Sequence, residues 1–134
     1  MAKRKTTSRR LAIEMARTCA ENRAYDVAIL DLRKVSPVTD FFVVATGTSA
    51  RQMRAAADHV REAAAALGQR PFGSEGYETG WVLIDYVDVI VHLFSEASRS
   101  YYDLELLWGD APRVDWRRGW KPRDDVPALP GGEA

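Results

Sequence analysis

The sequence predicts a single α/β domain in which helices flank a mixed β-sheet. The 134 residues fit one domain, since single cores usually hold about 100–150 residues. The predicted elements follow the order helix, strand, strand, helix, strand, strand, helix, which is typical of layered α/β folds. One strand is apolar throughout, as expected for a strand that is buried on both faces of a sheet. With 46% hydrophobic and 28% charged residues, collagen-like and wholly disordered chains are excluded.

The first half of the chain predicts one helix and two strands. The helix covers about 9–22 with Ser8 as its N-cap, because apolar side chains recur at helical spacing behind a capping hydroxyl. Cys19 lies on the apolar face of this helix, so we expect it in the core rather than as a nucleophile. One strand covers 26–32 and ends before a Ser-Pro pair. The next covers 41–46, an uninterrupted aromatic and β-branched run.

The second half predicts a long helix, a hairpin and a short helix. The long helix covers about 50–67, with Ser49 or Thr48 as its N-cap and Gly68 in the left-handed position after its end. The remaining elements are a short strand and loop within 71–80, an antiparallel hairpin of 81–85 and 89–94, and a last helix from Ser95 to Leu107.

Composition divides the chain into three parts. Residues 1–8 are basic and lack periodicity, so we expect them to be mobile. Residues 9–112 hold the predicted elements and form the domain. Residues 113–134 are rich in proline and glycine, and we expect a disordered tail there.

The net charge of zero hides an uneven distribution. Residues 11–112 hold nine basic and fifteen acidic residues, a net charge of about −6, whereas residues 1–10 hold five basic residues and no acid. An acidic body binds phosphates poorly and suits a basic protein partner better. Ordinary solubility charge explains the same numbers, so composition alone leaves both interpretations open.

The sequence indicates a cytoplasmic protein. A single cysteine excludes an internal disulfide framework and fits a reducing compartment. The apolar runs are far shorter than the roughly 20 residues that cross a bilayer. The basic start leads into no apolar signal core.

Two segments could carry chemistry, and each has a simpler structural explanation. The turn of residues 46–51 could hold a phosphate, but it lacks the P-loop lysine and a GxGxxG pattern, and a capped turn explains it. Asp85 and Asp88 could hold a metal, but a spacing of three across a turn does not place them on one strand face. Turn formation is the better explanation for one of the two aspartates. We therefore expect no catalytic residue, metal or cofactor.

Aromatic side chains in an acidic part of the chain indicate a binding surface. Trp81, Leu83 and Asp85 share one strand face by alternation, and the aspartate favours solvent. An exposed tryptophan beside carboxylates is typical of an interface hot spot for a basic partner. Alternatively, most of these aromatics pack the hairpin against the last helix, and we expect Trp108 and one tyrosine to be core. His92 alternates with apolar neighbours, which favours a structural histidine or a surface contact over a general base.

Several segments match motifs of a known family in ungapped order over about 10–108. They are 36–51 (SPVTDFFVVATGTSAR), 57–60 (ADHV), the Glu-Gly pair at 75–76 before Trp81, 85–94 (DYVDVIVHLF), and 99–108 (RSYYDLELLW). These motifs closely resemble the ribosomal silencing factor family, also called RsfS or Iojap. Val87 departs from the pattern, because the family usually has glycine there. A β-branched residue tolerates a positive φ poorly, so Val87 argues against a positive-φ turn at this place.

The resemblance implies a translation regulator rather than an enzyme, with a fold similar to that of nucleotidyltransferases. It implies binding to the fourteenth large-subunit ribosomal protein, at the face that meets the small subunit. Bound there, the protein would sterically block subunit joining when nutrients are scarce. The contact residues that the resemblance implies are first Trp81, Asp85, Tyr86, Asp88 and His92, and second Glu75, Gly76, Tyr102 and Glu105.

Two alternatives stay open beside this hypothesis. A nucleotidyltransferase-like enzyme would act on a nucleotide through residues 47–49 and the two hairpin aspartates. A homodimeric structural protein would use the aromatic surface as its own interface. A peripheral contact between the basic arms and ribosomal RNA would be compatible with the favoured hypothesis.

Overall fold

The computed structural model describes residues 7–76 and 78–121, which form five strands and four helices. In chain order these are α1 (Ser8–Glu21), β1 (Tyr25–Asp31), β2 (Phe41–Thr46), α2 (Ala50–Ala66), β3 (Gly73–Glu75), β4 (Trp81–Asp85), β5 (Val89–Phe94), α3 (Glu96–Tyr102) and α4 (Leu104–Leu107).

The strands form one mixed sheet, which confirms the predicted fold class. The order across the sheet is β1-β2-β5-β4-β3. The central pair β2–β5 is parallel, and the other three pairs are antiparallel. A parallel pair needs a long connection, and here α2, β3 and β4 lie between the two strands in sequence. The predicted hairpin forms with the predicted strand ends.

Helices α1 and α2 cover one face of the sheet and build the main core with it. Their buried stripes include Met15 and Cys19 on α1 and Val60 on α2. Cys19 is fully buried as predicted, and burial raises the pKa of its thiol to about 12. Gly68 follows α2 with a φ of 77°, the left-handed conformation predicted there.

The second face of the sheet is only partly covered. Phe42, Val44 and Phe94 form a smaller core with side chains from the segment after β5, including Leu104 and Trp108. This cover lies over β1, β2 and one end of β5. Trp108 is half-buried against this cluster, so it packs at the border of the core rather than inside it.

Two predicted boundaries need correction. The N-cap of α1 is Thr7 and not Ser8, because the Thr7 hydroxyl accepts the hydrogen bond from the Arg10 amide (3.1 Å). Ser8 instead donates its hydroxyl to Asp40 Oδ2 (2.7 Å), so the ordered domain already includes residues 7 and 8. Residues 1–6, the rest of the predicted mobile arm, lie outside the described residues. The strand β1 begins and ends one residue earlier than predicted.

The predicted last helix is two short helices. Asp103 adopts a left-handed conformation with a φ of 46°, which ends α3. Its carboxylate then accepts a hydrogen bond from the Leu106 amide (3.3 Å) and thereby caps α4. Aspartate tolerates the left-handed region and caps helices well, so one residue breaks the helix and restarts it.

The prediction of a disordered tail from residue 113 is wrong for 113–121. We call residues 111–121 the strap. Its Trp116 is 4% exposed, lies in the main core and donates its indole N–H to the Val27 carbonyl (3.0 Å). Val114 donates its amide to the Ile29 carbonyl (3.0 Å), so the strap also pairs with the outer edge of β1. Residues 122–134 lie outside the described residues.

Candidate protein-docking surface

Half-buried and exposed side chains of four elements lie together on the uncovered part of the second sheet face. On β4, the inward residues are fully buried and the alternate residues are half-buried, which confirms the predicted alternation. The register places Asp85 opposite Ile90 and Glu75 opposite Leu83. Tyr102 of α3 closes one end of the group. We call this group the open face; it consists of Glu75, Trp81, Leu83, Asp85, Ile90 and Tyr102.

Trp81 lies at the centre of an aromatic cluster at one end of the open face. Its ring centroid is 4.4 Å from that of Tyr102 and 5.1 Å from that of Phe94. The indole N–H donates a hydrogen bond to His92 Nδ1 (3.1 Å). Because its ring is held on three sides and only half-buried, Trp81 presents a rigid apolar surface to solvent, as predicted.

His92 and Tyr86 are buried, so the expectation that they contact a partner directly is corrected. His92 is 4% exposed, and Phe42 packs edge-on against its ring at a centroid distance of 4.5 Å. Burial lowers the pKa of His92 to about 3, so its imidazole is neutral. The bond from Trp81 makes Nδ1 the acceptor and assigns the proton to Nε2. His92 therefore positions Trp81.

Tyr86 belongs to the opposite face of the sheet. It directly follows β4, is 6% exposed and packs into the main core under the helices. Burial raises the pKa of its hydroxyl to about 12. Tyr86 is thus the one tyrosine predicted to be core.

The hairpin between β4 and β5 is held by a tight turn. Asp85 Oδ1 accepts a hydrogen bond from the Val87 amide (2.7 Å), and the Tyr86 carbonyl accepts one from the Asp88 amide (2.8 Å). Val87 at the centre has a φ of 72°. The expectation that valine opposes a positive-φ turn is wrong, because the hairpin enforces it. The prediction that one of the two aspartates forms the turn is confirmed, and that residue is Asp85; the side chain of Asp88 is exposed.

The loop before β4 places an acidic residue beside the open face. Glu75 is exposed on the outermost strand, and Gly76 follows with a φ of 90°. A Cβ at Gly76 would collide with the Trp81 carbonyl oxygen. Gly76 therefore lets the loop approach β4 closely, and its role is to position Glu75 and Trp81.

Glu105 forms a bidentate ion pair with Arg99 within the molecule. Arg99 donates Nε and Nη2 to its two carboxylate oxygens (2.9 and 2.6 Å), and Arg99 Nη1 donates to Thr46 Oγ1 (2.8 Å). The pKa of Glu105 is lowered, mainly by these hydrogen bonds from Arg99 and in addition by the charges of Arg99 and Arg113. This bidentate pair fixes α4 beside the sheet, so Glu105 acts by positioning rather than as a free charge.

Sequence reasoning missed part of the exposed apolar area. The sequence analysis did not identify Ile90 as a surface residue, although its alternation with buried Val89 and Val91 places it on the open face. Leu106 and Leu107 on α4 are 77% and 72% exposed. Their exposure had no signal in the sequence, because it depends on the helix break at Asp103.

The strand-to-helix turn of residues 46–51 is capped, as its structural explanation predicted. Ser49 Oγ accepts the Gln52 amide (3.0 Å), and Gln52 Oε1 in turn accepts the Thr48 amide (2.9 Å). Gly47 donates its amide to the Phe94 carbonyl (2.8 Å). The N–H groups of Gly47, Thr48 and Gln52 are thus satisfied within the chain.

Comparison with known proteins decides the family. A sequence model described as "Ribosomal silencing factor during starvation" matches residues 5–129. The chain belongs to the ribosomal silencing factor family. The RsfS protein of Bacillus subtilis is 43% identical to it over 101 residues, which cover 75% of this chain and 86% of that protein. The chloroplast Iojap protein of Arabidopsis thaliana is 29% identical over 104 residues, which cover 78% of this chain and 44% of that protein.

Solved structures agree with the family assignment. A crystal structure of a Chromobacterium violaceum protein is similar with a TM-score of 0.74 and 34% identity, covering 92% of this chain and 96% of that one. A crystal structure of a Bacillus halodurans protein is similar with a TM-score of 0.65 and 36% identity, and the match covers 79% of this chain and 94% of that one. The Bacillus subtilis and Arabidopsis thaliana relatives carry the names of a silencing factor and of Iojap. Among residues 7–76 and 78–121, no helix is long and apolar enough to span a bilayer.

Proposed function

We propose that this chain is a translational repressor that binds the fourteenth large-subunit ribosomal protein through the open face. Bound there, it occupies the volume that the small subunit needs, and it thereby blocks subunit joining when nutrients are scarce. The role is non-enzymatic, since a steric block requires only one protein interface.

The observation that carries the proposal is the composition of the open face. An aromatic and aliphatic centre (Trp81, Leu83 and Ile90) lies between carboxylates at its edges, Glu75 and Asp85. Interfaces typically combine an apolar, aromatic centre with a polar rim. Carboxylates on that rim favour a basic partner, and ribosomal proteins that contact RNA are generally basic.

The rigidity of the open face supports the same proposal. Trp81 is held by His92, Phe94 and Tyr102, and the Arg99–Glu105 pair holds α4 beside it. A surface that is already ordered loses little side-chain entropy on binding, so more of the contact energy appears as affinity.

Replacing Trp81 tests the centre of the proposed interface. Truncation of such an anchor typically costs about 2–4 kcal/mol, so Trp81→Ala should bind the isolated ribosomal protein roughly 30- to 1,000-fold more weakly. Calorimetric titration measures the affinity, and a melting curve checks that the variant is folded.

Glu75→Lys is the second variant, because Glu75 is exposed and its replacement removes no buried contact. Charge reversal should weaken binding about tenfold, mainly through slower association. Glu62→Lys, an equal change on the exposed outer side of α2, is the matched control and should bind as the native chain does. Native affinity in both Trp81→Ala and Glu75→Lys would place the interface elsewhere.

A further inference from the structure

The strap combines a buried inner side with a basic outer side. Residues 113–121 hold four basic side chains and one acidic one, a net charge of +3, while the preceding 11–112 carry about −6. All four cations are exposed: Arg113, Arg117, Arg118 and Lys121. The apolar side chains Val114, Trp116 and Trp120 pack against the main core.

The backbone of the strap is fixed by contacts with α1 and β1. Arg17 donates Nε to the Trp116 carbonyl (2.9 Å) and Nη2 to the Arg118 carbonyl (3.0 Å). Trp120 donates its indole N–H to Glu21 Oε2 (3.2 Å). The cations at 118 and 121 therefore extend from an ordered segment, and no ion pair to either is found among residues 7–76 and 78–121.

The strap begins at the smaller core and leads away from the open face to the helix side of the sheet. Ala111 is buried in the smaller core under α4, and Arg113 Nη2 is 3.8 Å from Glu105 Oε2. The chain then follows the outer edge of β1, where Asp31 donates its amide to the Pro112 carbonyl (2.8 Å). From there it crosses to α1 on the helix side. The sheet order β1-β2-β5-β4-β3 puts β2 and β5 between the strap and β4, so a partner docked on the open face leaves the outer side of the strap uncovered.

We propose that the strap binds the phosphate backbone of ribosomal RNA on the side of the molecule away from the docked protein partner. This inference rests on the proposed function, because a chain bound to a ribosomal protein has RNA as its neighbour. Arginine and lysine bind phosphates without reading bases. The exposed residues of the strap include no large apolar side chain, since both tryptophans point inward, so its outer side lacks the apolar centre that a protein interface needs.

Removing two charges from the strap tests the proposal without removing its anchors. Arg118→Gln/Lys121→Gln keeps Trp116, Trp120 and the Arg17 bonds to backbone carbonyls. Arg51→Gln/Arg54→Gln is the matched control, since both residues are exposed on α2 and the same charge is lost. Affinity for purified large ribosomal subunits is measured between about 50 and 200 mM KCl, the range in which phosphate contacts weaken strongly.

The strap variant should bind large subunits about tenfold more weakly at low salt, and the slope of log K against log salt should become shallower by about 1–2. The control should keep the native slope and affinity. Both double variants should bind the isolated ribosomal protein with the same affinity as the native chain. A native salt slope in the strap variant would overturn the proposal. Weaker binding of the strap variant to the isolated protein would assign the strap to a protein contact and also overturn it.

A short RNA duplex separates this inference from the proposed function. If the native chain failed to bind large subunits, the proposed function would be wrong, but binding to the duplex would still test the strap. The native chain and the Arg51/Arg54 control should then bind the duplex more tightly than the strap variant does. Equal binding by all three would exclude the strap as a phosphate contact.

Discussion

Val87 is strained in the folded protein. It lies at the centre of a tight turn with a φ of 72°, a conformation that costs a β-branched residue about 1–3 kcal/mol. Val87 is 54% exposed, so the burial of its side chain offsets little of this cost. The turn is retained because β4 and β5 pair on both sides of it and Asp85 accepts the Val87 amide.

Val87→Gly should therefore stabilise the protein. Glycine removes the steric cost, and its greater entropy in the unfolded chain offsets part of the gain, leaving about 1 kcal/mol or roughly 4 °C in Tm. Val38→Gly is the control, because Val38 is exposed and does not have a positive φ, so the same change should lower Tm. A lower Tm for Val87→Gly would show that the turn does not strain valine.

His92 should make stability depend on pH. Its pKa is about 3 in the folded protein and about 6.5 when unfolded, because burial disfavours the imidazolium. Between these values only the unfolded chain binds the proton. The contribution of neutral His92 to the free energy of unfolding is therefore complete above pH 6.5. It decreases as the pH falls, by about 1.4 kcal/mol per pH unit.

Denaturant titrations at pH 6.5 and 4.5 check this expectation. The native chain should lose about 2 kcal/mol more unfolding free energy over this interval than His92→Gln, whose side chain does not titrate. His59→Gln is the matched control, since His59 is exposed, and it should follow the native chain. Equal losses in all three proteins would mean that His92 is protonated in the folded state.

For His92, the sequence predicted which face of the strand the side chain occupies but not that this face is buried. Alternation in the sequence correctly placed His92 on the opposite face from Val91 and Leu93. Whether that face is open or covered depends on the register with β2, which brings Val44 opposite His92 and Phe42 against its ring. This cross-strand arrangement has no local signal.

At the scale of elements, local patterns predicted the periodic segments and missed the strap. The boundaries of β2, β4 and β5 follow from runs of apolar residues and from turn-forming residues, so they were predicted correctly. The strap lies among glycines and prolines, and its order comes from contacts across the chain, such as the bond from Arg17 to the Trp116 carbonyl. A pattern search within a short window cannot detect such a contact.

A chain ended after Pro112 should be strongly destabilised. It loses Trp116 from the core and the pairing of Val114 with β1, and loss of a buried tryptophan costs about 3–5 kcal/mol. Tm should fall by roughly 10–20 °C. A chain ended after residue 121 keeps every contact described for the strap and should melt well above the chain ended after Pro112. Equal Tm values for the two shortened chains would contradict the role assigned to Trp116.

At the scale of the molecule, two surfaces of opposite charge lie at opposite edges of the sheet. The open face joins an aromatic centre to carboxylates, and the strap, which lies beyond β1, carries a net charge of +3. A ribosomal protein surrounded by RNA offers the complementary arrangement, with a basic protein surface next to phosphates. The two surfaces together would define both the site and the orientation of binding.

One sucrose-gradient experiment tests the proposed function most directly. Native chain is mixed with large and small ribosomal subunits under conditions that favour joining, and each fraction is assayed for the chain. We expect the chain to sediment with free large subunits and the peak of assembled ribosomes to shrink, while Trp81→Ala leaves that peak unchanged. An undiminished ribosome peak with the native chain, whether the chain sediments with assembled ribosomes or with neither particle, would contradict the account.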